Sequence, residues 1–338
     1  MGKISIIMPT YNAEKTIEES LKSIREQNYD QTLIEILVID GGSTDRTREI
    51  AQKYGATILE NVKKLPEPAK EIGLLHANGK YGVYMDSDEI LIDKNTFQKR
   101  IDVFLADKTI KNVVSAGLIC NDMVNPIARY ANYTGDPFSY FIYRYNGYNR
   151  VENMSRTYKY EKRQGYMLYQ FDEEDSLPLF DAGISMFDLV EAKRLYENYD
   201  DKKNFASNLF NIMMSESKCV AMIEGDVIYH LPQMTLKGYL AKLKWRVLNN
   251  IFSIKEGGVG FSGRAKRDER IRRRQIWYVI YTITLLCPIY DSIRLAIKNR
   301  DGIFLGHWLL NLYVFIQICW NMALKILHIQ PKGIKTYG

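Results

Sequence analysis

Cysteine is scarce in this chain and unorganised. Cys120, Cys219, Cys287 and Cys319 stand far apart in 338 residues, with no Cys-x-x-Cys pair. That excludes a disulfide framework and a thiolate zinc site, and it suits a reducing compartment. A secretory signal peptide is also missing: Met1-Gly2-Lys3-Ile4 leads straight into a strand-like run, so the folded part is expected to face the cytoplasm. With 46% hydrophobic and 25% charged residues, global disorder is excluded. Acids are rare in one region. Between Thr235 and Gln275 there are twelve Lys and Arg against three Asp and Glu, whereas the whole chain carries only +6. The stripe ends at the most apolar part of the sequence, with no recognisable nucleic-acid module, so a nucleic-acid partner is not expected.

The first 90 residues alternate between two periodicities. Ile4–Met8, Ile34–Ile39, Ala56–Leu59 and Tyr81–Met85 read as buried strands, apolar without interruption as in a parallel sheet. Between them lie helical patterns: Ala13–Gln27, a helix capped by Ser43 or Thr44 and running to Tyr54, and Pro68–Ala77. Repeated strand–helix–strand units predict a mostly parallel α/β sheet flanked by helices, with ligands at the carboxyl ends of its strands. Asp40 and Asp86 fall at two such ends.

Tyr81-Gly82-Val83-Tyr84-Met85-Asp86-Ser87-Asp88 closes this half. Carboxylates at i and i+2 point to opposite faces of a regular strand. Asp86 and Asp88 can converge on one ion only where the chain bends. Such a pair suits Mg²⁺ or Mn²⁺, which take carboxylate oxygens together with nucleotide phosphates. Further on, ten tyrosines lie between Tyr130 and Tyr169. They suit either an acceptor-binding region or an antiparallel extension whose aromatics cover the sheet.

Ile7-Met8-Pro9-Thr10-Tyr11-Asn12, then Val38-Ile39-Asp40-Gly41-Gly42-Ser43-Thr44-Asp45, then Ala77-Asn78-Gly79-Lys80-Tyr81 leading to Asp86-Ser87-Asp88 resemble the N-terminal half of family 2 glycosyltransferases with the GT-A fold. The resemblance covers about 90 residues and thins towards residue 235. It implies a nucleotide-sugar site built from Pro9, Thr10, Tyr11, Asp40, Lys70, Asp86 and Ser87, with a uracil-type base whose imide Asp40 accepts. Lys70 stands where the family commonly has Arg, and Glu71 replaces an Asn, so a cation remains but the bidentate fork is lost. The resemblance further implies a metal held by Asp86 and Asp88, with His230 in reach. A base is implied at the opening of a helix, where Asp201, then Asp200, are the candidates, with Asp181 in the preceding glycine-containing segment third. Lys242 and Arg246, at i and i+4 on one helix face, suit a donor or acceptor phosphate. The Gln-x-x-Arg-Trp motif of processive synthases is missing around Lys244-Trp245-Arg246, which argues for addition of a single sugar.

The expected organisation is a catalytic domain over 1–234, with a nucleotide-sugar half at 1–110 and an acceptor half at 111–234. A basic juxtamembrane segment over 235–275 and apolar helices over 276–338 follow. Of the two apolar stretches only Ile303–Leu327 is long enough to span a bilayer. Cations before, between and after the stretches favour helices lying in the cytoplasmic leaflet with the basic stripe on anionic lipids. Two true spans, or helices buried against a partner chain, are the rivals. The expected activity is Mn²⁺- or Mg²⁺-dependent inverting transfer from a nucleotide-diphosphate sugar, UDP-linked, to a lipid-linked glycan at the cell membrane. The alternatives are a polyprenyl-phosphate acceptor, which needs no base, and a membrane-bound nucleotide-sugar-binding protein without catalysis.

Overall fold

The structure, a computed structural model, describes residues 2–144, 146–173, 175, 177–178, 183–252 and 269–331. It forms two compact units. The first comprises Met1–Asn121 and Tyr148–Pro232, the second Asp122–Gly147 and Gln233–Gly338.

In the first unit, β1 (Ile4–Thr10), β2 (Ile34–Asp40), β3 (Thr57–Glu60) and β4 (Tyr81–Tyr84) pair in parallel in the order β3-β2-β1-β4. The chain steps outward from β1 to β3 and then crosses back to β4, so the order reverses between β1 and β4. In open α/β sheets such a switch leaves a crevice outside the strand ends. The same sheet continues through five more strands: β6 (Asn112–Val114), β8 (Lys159–Arg163), β9 (Tyr166–Gln170), β10 (Met186–Asp188) and β11 (Cys219–Met222). β10 inserts antiparallel between β4 and β6, and β9 pairs antiparallel with β11. A second sheet sets β12 (Val227–His230) between β5 (Glu89–Leu91) and β7 (Gly117–Leu118).

Alternate residues of β1 enter different cores. Ile4, Ile6 and Met8 pack with α1 (Ile17–Arg25) and α4 (Thr96–Ala106). Ile7 packs on the other side with α3 (Pro66–His76), α8 (Leu189–Glu197) and α9 (Lys202–Ser217). Gly73 is what brings α3 so near: a Cβ there would lie 2.2 Å from Ile7 Cγ2. On α4, fully buried Arg100 meets Asp226 through two hydrogen bonds of 2.8 and 3.1 Å and donates to the Ile184 carbonyl. A buried pair of this kind is costly to break on one side only.

Helix starts differ from the periodicity. α1 opens at Ile17 rather than Ala13, and α2 (Thr47–Lys53) at Thr47. Ser43 and Thr44 do not cap α2, because both are drawn into bonds with Asp40 and Asn12. The described tyrosines of the Tyr-rich segment divide between the units. Tyr166 and Tyr169 are buried on β9, and Tyr130, Tyr133 and Tyr140 are buried in helices of the second unit.

That unit contains α5 (Pro126–Thr134), α6 (Pro137–Tyr143), α10 (Leu236–Phe252), α11 (Glu269–Ile283), α12 (Leu286–Asn299), a 3₁₀ turn at Gly302–Gly306 and α13 (His307–Ile326). The remaining helix of the first unit is α7 (Arg150–Thr157). Among the described residues one helix, Gly302–Ile326, is long and apolar enough to cross a membrane. Ile271–Ile283 and Leu286–Asn299 meet at a bend of 91°.

Candidate active site

The carboxyl ends of β3, β2, β1 and β4 carry the expected residues side by side, because the register pairs Thr10 with Asp40 and Asp40 with Glu60. Asp40 is buried, with 1% exposure. Its carboxylate accepts from the Gly42 and Ser43 N–H groups at 3.2 and 3.0 Å and from the Ser43 hydroxyl at 2.5 Å, with Arg48 3.6 Å away. It therefore fixes the Gly41–Ser43 turn. The turn is stitched to the loop after β1: Asn12 N–H donates to Ser43 Oγ at 2.8 Å, Thr44 N–H to Asn12 Oδ1 at 2.9 Å, and Gly41 N–H to the Thr10 carbonyl at 2.8 Å. Asn12 adopts φ 49° and Gly42 φ 84°, left-handed conformations suited to a tight turn.

Tyr11 stands at this edge, half exposed, with Lys64 Nζ 5.9 Å from its ring centroid. Thr10 Oγ1 and Asn61 Oδ1 flank Asp40 on either side. Both oxygens are buried and have no hydrogen-bond partner among the described residues. Such atoms are rare in folded proteins and point to a missing donor. Across the crevice α3 brings Lys70 Nζ to 5.6 Å from the Tyr84 ring, and Glu71 accepts from the Tyr196 hydroxyl at 2.6 Å. Burial, then Glu71, push the Tyr196 phenol up to about 12. Tyr196 explains why a carboxylate is useful at position 71.

After β4 the chain bends at Ser87–Asp88. Asp86 N–H donates to Glu89 Oε2 at 2.8 Å, and Glu89 N–H donates to the Asp86 carbonyl at 3.1 Å. Ser20 Oγ holds the Ser87 carbonyl at 2.9 Å. β12 then pairs with β5, setting His230 opposite Glu89. This brings His230 Nε2 to 3.6 Å from Asp88 Oδ2, while Leu231 N–H donates to the Asp88 carbonyl at 2.8 Å. Among the described residues no group of three or more His, Cys, Asp and Glu is already gathered as a metal cage. By donor type alone, the carboxylates of Asp86 and Asp88 and the imidazole of His230 are ligands that a hard or borderline divalent cation takes.

Asp200 and Asp201 are exposed in the turn opening α9, and Asp201 Oδ2 accepts from Asn204 Nδ2 at 2.8 Å. The next residue's ammonium, Lys202 Nζ, lies 5.2 Å from the Tyr196 ring centroid, so this turn adjoins the pair made by Tyr196 on α8 and Glu71 on α3. Asp181 lies outside the described residues. Lys242 and Arg246 belong to α10 in the second unit, where Arg246 Nη1 is 3.7 Å from Asp136 Oδ2, the N-cap of α6. Sequence reasoning missed three side chains. Lys64 and Asn61 follow β3, where no periodicity marks them. Glu89, the acid that follows Asp88, is 4% exposed and closes the Asp86 turn. Only the pairing of β5 with β12 buries it.

Residues 5–172 match the family model described as Glycosyl transferase family 2. Over 104 residues the chain is 36% identical to the poly(ribitol-phosphate) beta-N-acetylglucosaminyltransferase TarS of Staphylococcus aureus, covering 29% of this chain and 18% of that protein. Over 106 residues it is 35% identical to the UDP-Glc:alpha-D-GlcNAc-diphosphoundecaprenol beta-1,3-glucosyltransferase WfgD of Escherichia coli, covering 30% and 41%. The matched region is therefore less than half of either relative. The fold is similar to that of the mannosyltransferase PcManGT from Pyrobaculum calidifontis, solved with GDP-Man and Mn²⁺. The TM-score is 0.52 at 15% identity, over 95% of this chain and 88% of that one.

Proposed function

We propose, on the premise that residues 5–172 are a family 2 glycosyltransferase domain, that this chain transfers one sugar, with inversion, from a nucleotide-diphosphate donor to a lipid-linked glycan at the cytoplasmic face of a membrane. The observation that carries the reading is the approach of His230 to Asp88 at 3.6 Å beside the switch point between β1 and β4. Asp86, Asp88 and His230 would hold Mn²⁺ or Mg²⁺, which when bound neutralises charge on the departing diphosphate. The relatives give this context. WfgD is named for UDP-Glc and a diphosphoundecaprenol acceptor, and PcManGT was solved with Mn²⁺ but with GDP-Man. UDP is our choice of donor nucleotide.

The chain's own residues divide the work. Pro9, Thr10 and Tyr11 offer the base a backbone edge and an aromatic ring. Thr10 Oγ1 and Asn61 Oδ1 are buried polar groups beside it, and the Thr10 hydroxyl can donate to a base carbonyl. Asp40 keeps the Gly41–Ser43 turn in place, and its remaining acceptor capacity is available to the imide. Lys70, assisted by Lys64, faces the diphosphate, and Ser87 shapes the Asp86–Asp88 bend. Asp201, with Asp200 and Asp181 as substitutes, takes the proton of the acceptor hydroxyl on the side opposite the diphosphate. Lys242 and Arg246 are our candidates for an acceptor phosphate. A polyprenyl phosphate would arrive already ionised and need no base.

The test is a panel of UDP- and GDP-sugars with Mn²⁺ or EDTA, with diphosphoundecaprenol-linked sugar or polyprenyl phosphate as acceptor. We expect transfer or hydrolysis of UDP-sugars that EDTA abolishes. Metal-dependent nucleotide binding without turnover of any sugar would support the non-catalytic alternative, and no binding at all would end the enzyme reading.

A further inference from the structure

The helices of the second unit are inverted with respect to a water-soluble bundle. Asp291, Ser292, His307, Asn311 and Asn321 are turned inward, each no more than 5% exposed. Their outward neighbours are apolar: Ile283 is 65% exposed, Leu286 77%, Ile297 73%, Trp320 62% and Ile326 72%. An aqueous surface helix has the opposite pattern, whereas helices in contact with lipid bury their polar groups against protein. The inward groups are bonded to one another. Tyr130 Oη lies 2.7 Å from His307 Nδ1, and Asp291 accepts from Tyr281 and Arg144, both at 2.9 Å.

Length and composition alone would let Gly302–Ile326 cross a membrane. Its neighbour α10 forbids it. Tyr313 Oη donates to the Leu240 carbonyl at 3.2 Å and Lys325 Nζ to the Ile251 carbonyl at 2.5 Å, so α10 and α13 run side by side in the same direction. Val314 is the midpoint of the apolar segment, level with Leu240. At about 1.5 Å per residue, Lys242, Lys244 and Arg246 then fall within about 10 Å of that level. A spanning α13 would drag these cations into hydrocarbon, a costly place for them. Neither α11 nor α12 is long enough to span alone. They are 15 and 14 residues long, about 22 and 21 Å, against a hydrocarbon core of roughly 30 Å. Their 91° corner is fixed by the bonds to Asp291.

We infer that the second unit is a monotopic platform: the outer faces of α11, α12 and α13 sink into the headgroup–acyl boundary of a single leaflet, no described helix crosses, and the exposed cations of α10 and of the start of α11 meet anionic lipid headgroups. Lys237 and Lys244 on α10 and Arg272 and Arg273 on α11 are exposed, and these cations supply the complementary charge. The inference stands apart from the sugar chemistry and can fail without it.

Two measurements on the full chain test it. With the native cysteines replaced, Gly302→Cys and Gln330→Cys are offered a membrane-impermeant maleimide. Both ends of α13 should be protected in sealed cells and labelled in inverted vesicles. Labelling of one end from each side would overturn the inference. Purified protein should also float with vesicles containing phosphatidylglycerol more strongly than with pure phosphatidylcholine. Lys237→Gln and Lys244→Gln should each weaken that binding about fivefold. Binding indifferent to both changes would overturn the headgroup contact. Failure to float, with a concentration-dependent dimer in detergent-free buffer, would show that a second copy covers the apolar face instead.

Discussion

Asp88 and Glu89 are adjacent acids with opposite tasks, and their surroundings separate them. Glu89 is buried and bonded to the Asp86 N–H, so it holds the bend. Asp88 stays partly open beside His230. Asp88→Asn should therefore lower kcat/KM by roughly 10²–10³-fold, the cost of losing one preorganised electrostatic group, and shift the Mn²⁺ titration to higher concentration. His230→Gln should shift the same titration with a smaller loss of rate. Unchanged Mn²⁺ dependence in both variants would remove these residues from the metal site. At the opening of α9, Asp201→Asn should reduce kcat by about 10²–10⁴-fold, as expected of a general base. Asp200→Asn should cost less. Full activity in both would point to an acceptor that is already ionised.

At the scale of elements, the packing of α3 on β1 governs the site, because Lys70 and Glu71 ride on the same helix as Gly73. Adding a methyl group at Gly73 forces α3 away from Ile7. Gly73→Ala should destabilise the chain by about 1–3 kcal/mol, typical of overpacking. Since the helix carries Lys70, KM for the donor should rise as well. Urea denaturation and initial rates on one preparation would check both, and a stable variant with an altered KM would show that α3 moves as a unit. The pairing of β5 with β12 has similar weight. It joins residues near 90 to residues near 229, and it alone brings His230 to Asp88. Periodicity marks neither of these strands of three and four residues and cannot say that they meet.

At the scale of the whole molecule, the second unit closes around His307. Tyr130 on α5, Tyr140 with Arg144 at the end of α6, Tyr281 on α11 and Asp291 on α12 surround the ring or its partners. Burial pushes the imidazole down to about 4 from 6.5. The folded chain thus resists a proton that the unfolded chain accepts. The stability contributed is complete above 6.5 and falls as pH drops, by about 1.4 kcal/mol per unit between 6.5 and 4. Thermal unfolding followed across this range should show the slope, and His307→Asn should flatten it; an identical slope in the variant would assign the effect to other groups. The sequence by itself determined the parallel half of the sheet and which residues stand at its carboxyl ends. Uninterrupted apolar runs, helical spacing and motifs at strand ends are local signals, and the strand-end positions of Asp40, Asp86 and Tyr11 needed no more. Tertiary structure alone decided what lies across the chain from them. Arg100 finds Asp226 across 126 positions, β10 enters between β4 and β6, Glu89 is buried, and α10 lies along α13 with its lysines level with the middle of an apolar helix. Those outcomes depend on which surfaces meet, and one-dimensional spacing does not encode that.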